Sequence, residues 1–238
     1  MSGHNKWSQI KHKKAKEDAK RGKAFTKLIK EIAVSAREGG GDPASNARLR
    51  TLVEKAKEIN MPAENTARAI KRGTGELPGV SYSALLYEGY GPYGMAVIVD
   101  TLSDNKNRTV ADLRRIFSSN GGNLGETGSV SWMFEQLGVI RGTSATVTED
   151  KLLEALLEFD IKDIRNDGNL FSVFCDAKSL DQVKQAVKNA GLNIESAELE
   201  WVPKNTAELT DDQTEKALAF LSALQDHDDV QNVYANLA

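Results

Sequence analysis

A chain of 238 residues, 40% hydrophobic and 27% charged, has the composition of an ordinary globular protein and the length for one large domain or two to three small ones. No apolar run approaches the roughly 18 residues of a membrane-spanning helix, the first residues form no apolar signal region, and a single cysteine leaves no internal disulfide and no cysteine-built metal site; a cytoplasmic protein is expected. The net charge of −3 hides a polarity: residues 1–77 hold 18 Lys and Arg against nine Asp and Glu, a net +9, and the remainder holds 13 against 25, a net −12.

The chain opens on its most unusual stretch. Lys6 to Lys30 carries ten basic residues, opposed only by Glu17 and Asp18. Within and after it, Phe25, Leu28, Ile29, Ile32, Ala33 and Ala36 recur at helical spacing and predict an amphipathic helix that the Gly39–Gly41 run ends. Asp42 as N-cap and Pro43 as first helical residue predict a second helix reaching Glu58. Asn60, Met61 and Pro62 break it, and a short third helix over 62–72 stops at Gly73, with Lys71 and Arg72 complementing its dipole. Residues 73–79 read as a linker.

Beyond the linker the periodicity changes. SALLYEGY and MAVIVDT predict strands, Asn107 to Ser119 a helix, and SVSWMFE a third strand. A strand–helix–strand–strand–helix–strand unit follows, from GVIRG to IESAELEWV, the order of a ferredoxin-like plait. The helix from Asp211 to Gln225 and the strand VQNVYANL then return to complete the middle sheet. The expectation is an α+β protein: a basic arm and three-helix bundle at 1–77, a middle αβ domain at 78–135 with 205–238, and an inserted ferredoxin-like domain at 136–204.

Catalytic signatures are weak. The glycine-rich NGGNLGETGSVSW lacks a following lysine, places Glu126 where a phosphate would sit, and leads toward a strand, so it reads as a loop whose backbone needs glycine. His4, His12 and His227 are dispersed and form no metal-binding pair. Asp226, Asp228 and Asp229 around His227 lack the pattern of a calcium loop and read as a solvated helix end. Cys175 reads as a buried strand residue; a nucleophilic thiol would want a cationic neighbour to lower its pKa. No serine or cysteine has triad-like spacing. No enzymatic activity, cofactor or metal is expected; the lesser alternative is an enzyme with its site in a cleft between the two αβ domains.

The basic stretch points to an anionic partner. Lys11 to Lys23 contains only alanine as apolar residue, so it has no face to bury on its own body and too little bulk for a membrane surface. Nucleic acid is the expected partner. The candidate phosphate contacts are Lys6, Lys11, His12, Lys13, Lys14, Lys16, Lys20, Arg21, Lys23, Lys27 and Lys30, with Arg48, Arg50, Arg68, Lys71 and Arg72 from the following helices. Trp7 either stacks on a base or anchors the arm to the bundle. Six phosphate contacts to a duplex would give a slope of roughly −5 in log affinity against log salt. The second and third helices also allow a helix-turn-helix, with Asn65, Arg68, Lys71 and Arg72 available to read bases. The acidic remainder keeps nucleic acid to one end and offers a surface to basic proteins. A monomer is the default.

GHNKWSQIKHKKAKEDAKRGKAFTKLIKEI closely resembles the opening of the YebC family, and YEGYGPYGMAVIVDTLSDNKNRT, GGNLGETGSVSWMF and the LEWVPKN region match in the family's order. The resemblance spans essentially the whole chain. It implies a helical N-terminal domain and two αβ domains around a cleft, without catalysis, acting as a DNA-binding transcriptional regulator or as a ribosome-associated, ribosomal-RNA-binding translation factor related to the mitochondrial translational activator. One turn departs from the family pattern: GYGPYG carries Tyr93 where glycine is common, and a left-handed backbone there is disfavoured for tyrosine.

Overall fold

A computed structural model describes residues 21–237. The chain falls into two compact units: one comprises the chain up to Ser131 together with Asn205 onward, the other Trp132–Lys204.

The first unit begins with three helices, α1 (Arg21–Gly39), α2 (Ala47–Glu58) and α3 (Ala63–Gly73). Leu28, Ile32 and Ala36 of α1, Leu49, Leu52 and Ala56 of α2, Met61 and Ala69 share one buried cluster, as the helical spacing requires. The second helix starts later than expected. Asp42 instead caps a turn, its carboxylate accepting from the Ala44 N–H, and the N-cap of α2 is Asn46. The Asn46 side chain accepts from Leu49 N–H at 3.0 Å while its amide donates to the carbonyls of Ser35 and Gly40, both at 2.9 Å. One buried side chain thus caps α2 and ties it to the end of α1. A Schellman motif closes α2, with Met61 N–H donating to Ala56 O and Asn60 N–H to Lys57 O around a left-handed Asn60. Gly73 lets α3 approach α1, since a Cβ there would stand 2.3 Å from the Ala33 carbonyl oxygen.

The rest of this unit is an antiparallel sheet with helices on one face: β1 (Ser83–Tyr90), β2 (Ala96–Ser103), α4 (Lys106–Ser119) and β3 (Asn123–Leu124). Val97 and Val99 of β2 pack against Leu113 and Phe117 of α4 and against a later helix and strand described below. The expected third strand, SVSWMFE, does not form over 129–133, and its last residues, Phe134 and Glu135, instead open the first strand of the second unit. Asn123–Leu124 pairs with β1 in its place, and Ser131–Met133 is a 3-10 turn. The physical reason is that the amides of Gly128, Val130 and Ser131 donate to the Glu88 carboxylate and are not available to a ladder.

The second unit runs β4 (Phe134–Thr143), α5 (Glu149–Ala155), β5 (Ile161–Asp167), β6 (Leu170–Asp176), α6 (Leu180–Asn189) and β7 (Asn193–Pro203). Its antiparallel sheet has the order β5-β6-β4-β7, the ferredoxin-like arrangement. Ile140, Phe171, Val173 and Cys175 form the core with Leu152, Leu156, Val183 and Val187 of the helical segments. Cys175 is fully buried and burial pushes its thiol pKa up, which makes it a packing residue. Arg141 and Glu200 make a bidentate ion pair at 2.5 and 2.9 Å.

The chain then returns to the first unit with α7 (Asp211–Gln225), opened by a Thr210–Gln213 capping box, and β8 (Val230–Ala235), which pairs with β2. The sheet order there is β3-β1-β2-β8. Ala217, Phe220, Leu221 and Leu224 of α7 complete its core, and the Phe117 and Phe220 rings meet edge to face at 5.0 Å.

Candidate nucleic-acid interface

Lys23, Lys27 and Lys30 lie at i, i+4 and i+7 of α1 and therefore share one face. That face meets the end of α7, where the last carbonyls have no intrahelical partners. Lys23 Nζ donates to Asp226 O at 2.9 Å, Lys27 Nζ to Gln225 O at 2.6 Å, and Lys30 Nζ to Asp228 O at 3.0 Å. Lys23 and Lys27 sit at the negative end of the helix dipole and satisfy carbonyls that would otherwise need water, while Lys30 reaches the carbonyl of Asp228 just beyond the helix.

Lys30 goes further than its neighbours. It is only 6% exposed, and its ammonium reaches Asp229 Oδ1 at 2.6 Å. The other carboxylate oxygen of Asp229 accepts from Arg108 at 2.9 Å, Thr109 Oγ1 at 2.7 Å and Ser103 Oγ at 3.2 Å. Burial alone would raise the Asp229 pKa. The bonds from Lys30, Arg108 and Thr109 outweigh it and hold the carboxyl well below the usual range. Two expectations are thereby corrected: Asp229 is a buried anion and not part of a solvated helix end, and Lys30 is consumed by it, so its ammonium is not presented to a phosphate. His227 beside it accepts the Asp229 N–H through Nδ1 at 3.1 Å, which leaves the Nε2 proton facing Asp112 at 3.4 Å.

The remaining candidates divide by where they stand. Arg48, Arg50, Arg68, Lys71 and Arg72 are all exposed on α2 and α3. Arg48 pairs with Glu38 at 3.2 Å, Arg68 pairs with Glu64 one turn earlier, and Arg50 donates to the Pro43 carbonyl at 3.0 Å. Lys71 and Arg72 close α3, beside its carbonyl end. Lys6, Trp7, Lys11, His12, Lys13, Lys14, Lys16 and Lys20 lie outside the described residues, as does the Arg21 side chain.

The glycine-rich loop is an anion cradle, but its anion is internal. Glu88 is 3% exposed and accepts from Gly128 N–H at 2.8 Å, Val130 N–H at 2.9 Å and Ser131 N–H at 2.8 Å. Burial pushes its pKa up, and these amides override that and bring it below its ordinary value. Sequence reasoning did not single out Glu88, because nothing in LLYEGY distinguishes a carboxylate turned into a loop from one turned to water. Among the described residues no cluster of three or more His, Cys, Asp or Glu suits a metal ion, and no helix is long and apolar enough to cross a membrane. Tyr93 does adopt the left-handed backbone, with φ 62° and ψ 22°, and its side chain is exposed.

Comparison with known proteins accounts for nearly the whole chain. Residues 5–76 match the TACO1/YebC protein N-terminal domain, and residues 82–237 match the TACO1/YebC second and third domain. A protein of Desulfotalea psychrophila named probable transcriptional regulatory protein is 53% identical over 237 residues, covering 99% of this chain and 95% of the relative. One of the same name from Chloroherpeton thalassium is 52% identical over 238 residues, covering 100% and 95%. The crystal structure of a conserved hypothetical protein from Aquifex aeolicus superposes with a TM-score of 0.84 at 43% identity, covering 94% of this chain and 93% of that one. With both family models and full-length relatives in agreement, the chain belongs to the TACO1/YebC family.

Proposed function

We propose that this protein is a non-enzymatic, cytoplasmic regulator of gene expression that binds DNA, as a monomer, through phosphate contacts of its basic N-terminal domain. The observation that carries the reading is the charge polarity, +9 over residues 1–77 against −12 over the rest. Arg48, Arg50, Arg68, Lys71 and Arg72 add an exposed basic surface on α2 and α3 to the lysines that precede α1. The acidic body weakens phosphate contacts outside this domain, which orients the complex. Relatives named probable transcriptional regulatory proteins support the regulatory role. Lys30 is left out of the contact set because Asp229 holds it.

The test is crosslinking in growing cells followed by sequencing of the attached nucleic acid, with a chain lacking residues 1–20 as control. Discrete promoter DNA, lost on truncation, is the expected result. Ribosomal RNA in its place would keep the phosphate chemistry but move the target to the ribosome. Equal recovery with and without residues 1–20 would remove the basic arm from the interface.

A further inference from the structure

We infer that Tyr93 is a stacking platform for an unpaired nucleobase, a second contact that rests on the nucleic-acid reading above. The β1–β2 turn is closed by Gly91 N–H donating to Met95 O at 2.7 Å, and within it Tyr93 stands at φ 62° directly before Gly94 at φ 75°. Glycine takes such a conformation without strain, whereas a side chain with a Cβ is penalised. Among the described residues the other non-glycine at positive φ is Asn60, a type that tolerates the left-handed region and closes α2. Tyr93 has no comparable role. Its side chain is 45% exposed, while Gly91, Pro92 and Met95 around it are buried. A strained residue whose side chain stays nearly half exposed is a candidate contact residue.

The surroundings select the partner. Among the described residues of β1 to Ser131 and of 205–237, the large hydrophobic residues that stand exposed are Tyr90 and Tyr93, both aromatic and both on this turn. Tyr90 is fixed by its hydroxyl, which donates to Ser129 O at 3.2 Å. Two aromatic rings without an exposed aliphatic neighbour suit the π-face of a base, and such stacking tolerates any sequence. The turn lies at the end of the β1–β2 hairpin away from Ser103 and Asp229, about 25 Å along the strands.

The experiment compares the full chain with Tyr93→Gly and Tyr93→Phe by fluorescence anisotropy. The probes are a single-stranded DNA of about 20 nucleotides and an abasic strand of the same length, which keeps the phosphates and removes the stack. The parent chain and Tyr93→Phe should bind the base-bearing strand about fivefold or more tighter than the abasic one. Tyr93→Gly should abolish that ratio, keep the abasic affinity, and melt at a higher temperature. An unchanged ratio in Tyr93→Gly, or a lowered melting temperature, overturns the inference. Equal binding of both strands by the parent chain also overturns it while leaving the phosphate reading standing, and binding of neither strand takes down both.

Discussion

Lys30 and Asp229, 199 residues apart in sequence, meet at 2.6 Å in a site where their side chains are 8% and 3% exposed. The contact joins the N-terminal helices to the sheet that the C-terminal strand completes. Truncating one partner of a buried pair leaves the other charge without compensation, at a cost of about 3 to 5 kcal/mol. Asp229→Ala should therefore lower stability by about that amount, because both Lys30 and Arg108 lose their acceptor. Lys30→Met should cost less, since Arg108 and Thr109 still hold the carboxylate. Urea denaturation of the two variants measures both values, and equal costs would contradict this ordering.

Acid should weaken the first unit selectively. Asp229 and Glu88 both have folded-state pKa values depressed below their ordinary ones. Such groups bind protons more tightly when unfolded, so their contribution is fully present above the unfolded values near 4 and is lost as pH falls through the folded ones. Unfolding midpoints should be steady between about pH 6 and 8 as far as these two groups are concerned, and fall steeply below about pH 4. Asp229→Asn should flatten that acid limb while lowering stability at neutral pH. A variant limb as steep as the parent's would assign the acid sensitivity to other groups.

Glu88 organises the loop that precedes the second unit. Glu88→Ala would leave three amide donors, those of Gly128, Val130 and Ser131, without their acceptor. The buried Val130 amide left unsatisfied costs about 1 to 3 kcal/mol and the part-buried amides of Gly128 and Ser131 less, because water reaches them, so a loss of about 3 kcal/mol is expected. Hydrogen exchange should show those three amides losing protection in the variant before the rest of β1 does.

Exposed charges should behave differently from buried ones. Lys71→Ala and Arg72→Ala should each weaken binding to all sequences alike and make the salt slope shallower by about one. Arg48→Ala and Arg68→Ala should change it less, because Glu38 and Glu64 already offset part of those charges. Stability should move by under about 0.5 kcal/mol in all four. Loss at one sequence only would point to base reading by α3.

Periodicity and turn chemistry made most elements legible. The apolar face Leu28–Ile32–Ala36 declared α1, and the Asn60–Met61–Pro62 break declared the end of α2, because helical spacing and capping are local properties. Misses came where a distant group took over a local role. Asp42 and Asn46 are both good caps, and the choice fell to Asn46 because it also reaches the carbonyls of Ser35 and Gly40. SVSWMFE alternates like a strand, yet the amides of Val130 and Ser131 were claimed by Glu88 some 40 residues earlier, and only Phe134 and Glu135 enter a strand.

The same division holds for the candidate interface. Composition along the chain was enough to establish that the molecule has a basic end and an acidic remainder, since charge is additive and needs no geometry. Which of those charges face outward was settled by packing. Lys23, Lys27 and Lys30 are indistinguishable in sequence from the lysines around them, and packing against Asp229 buried Lys30 while Lys23 on the same face stayed exposed. The strained Tyr93 turn likewise depends on the backbone path between two paired strands. Ionic and backbone commitments of this kind join residues up to 203 positions apart, and a one-dimensional pattern carries no record of which distant partner a side chain will meet.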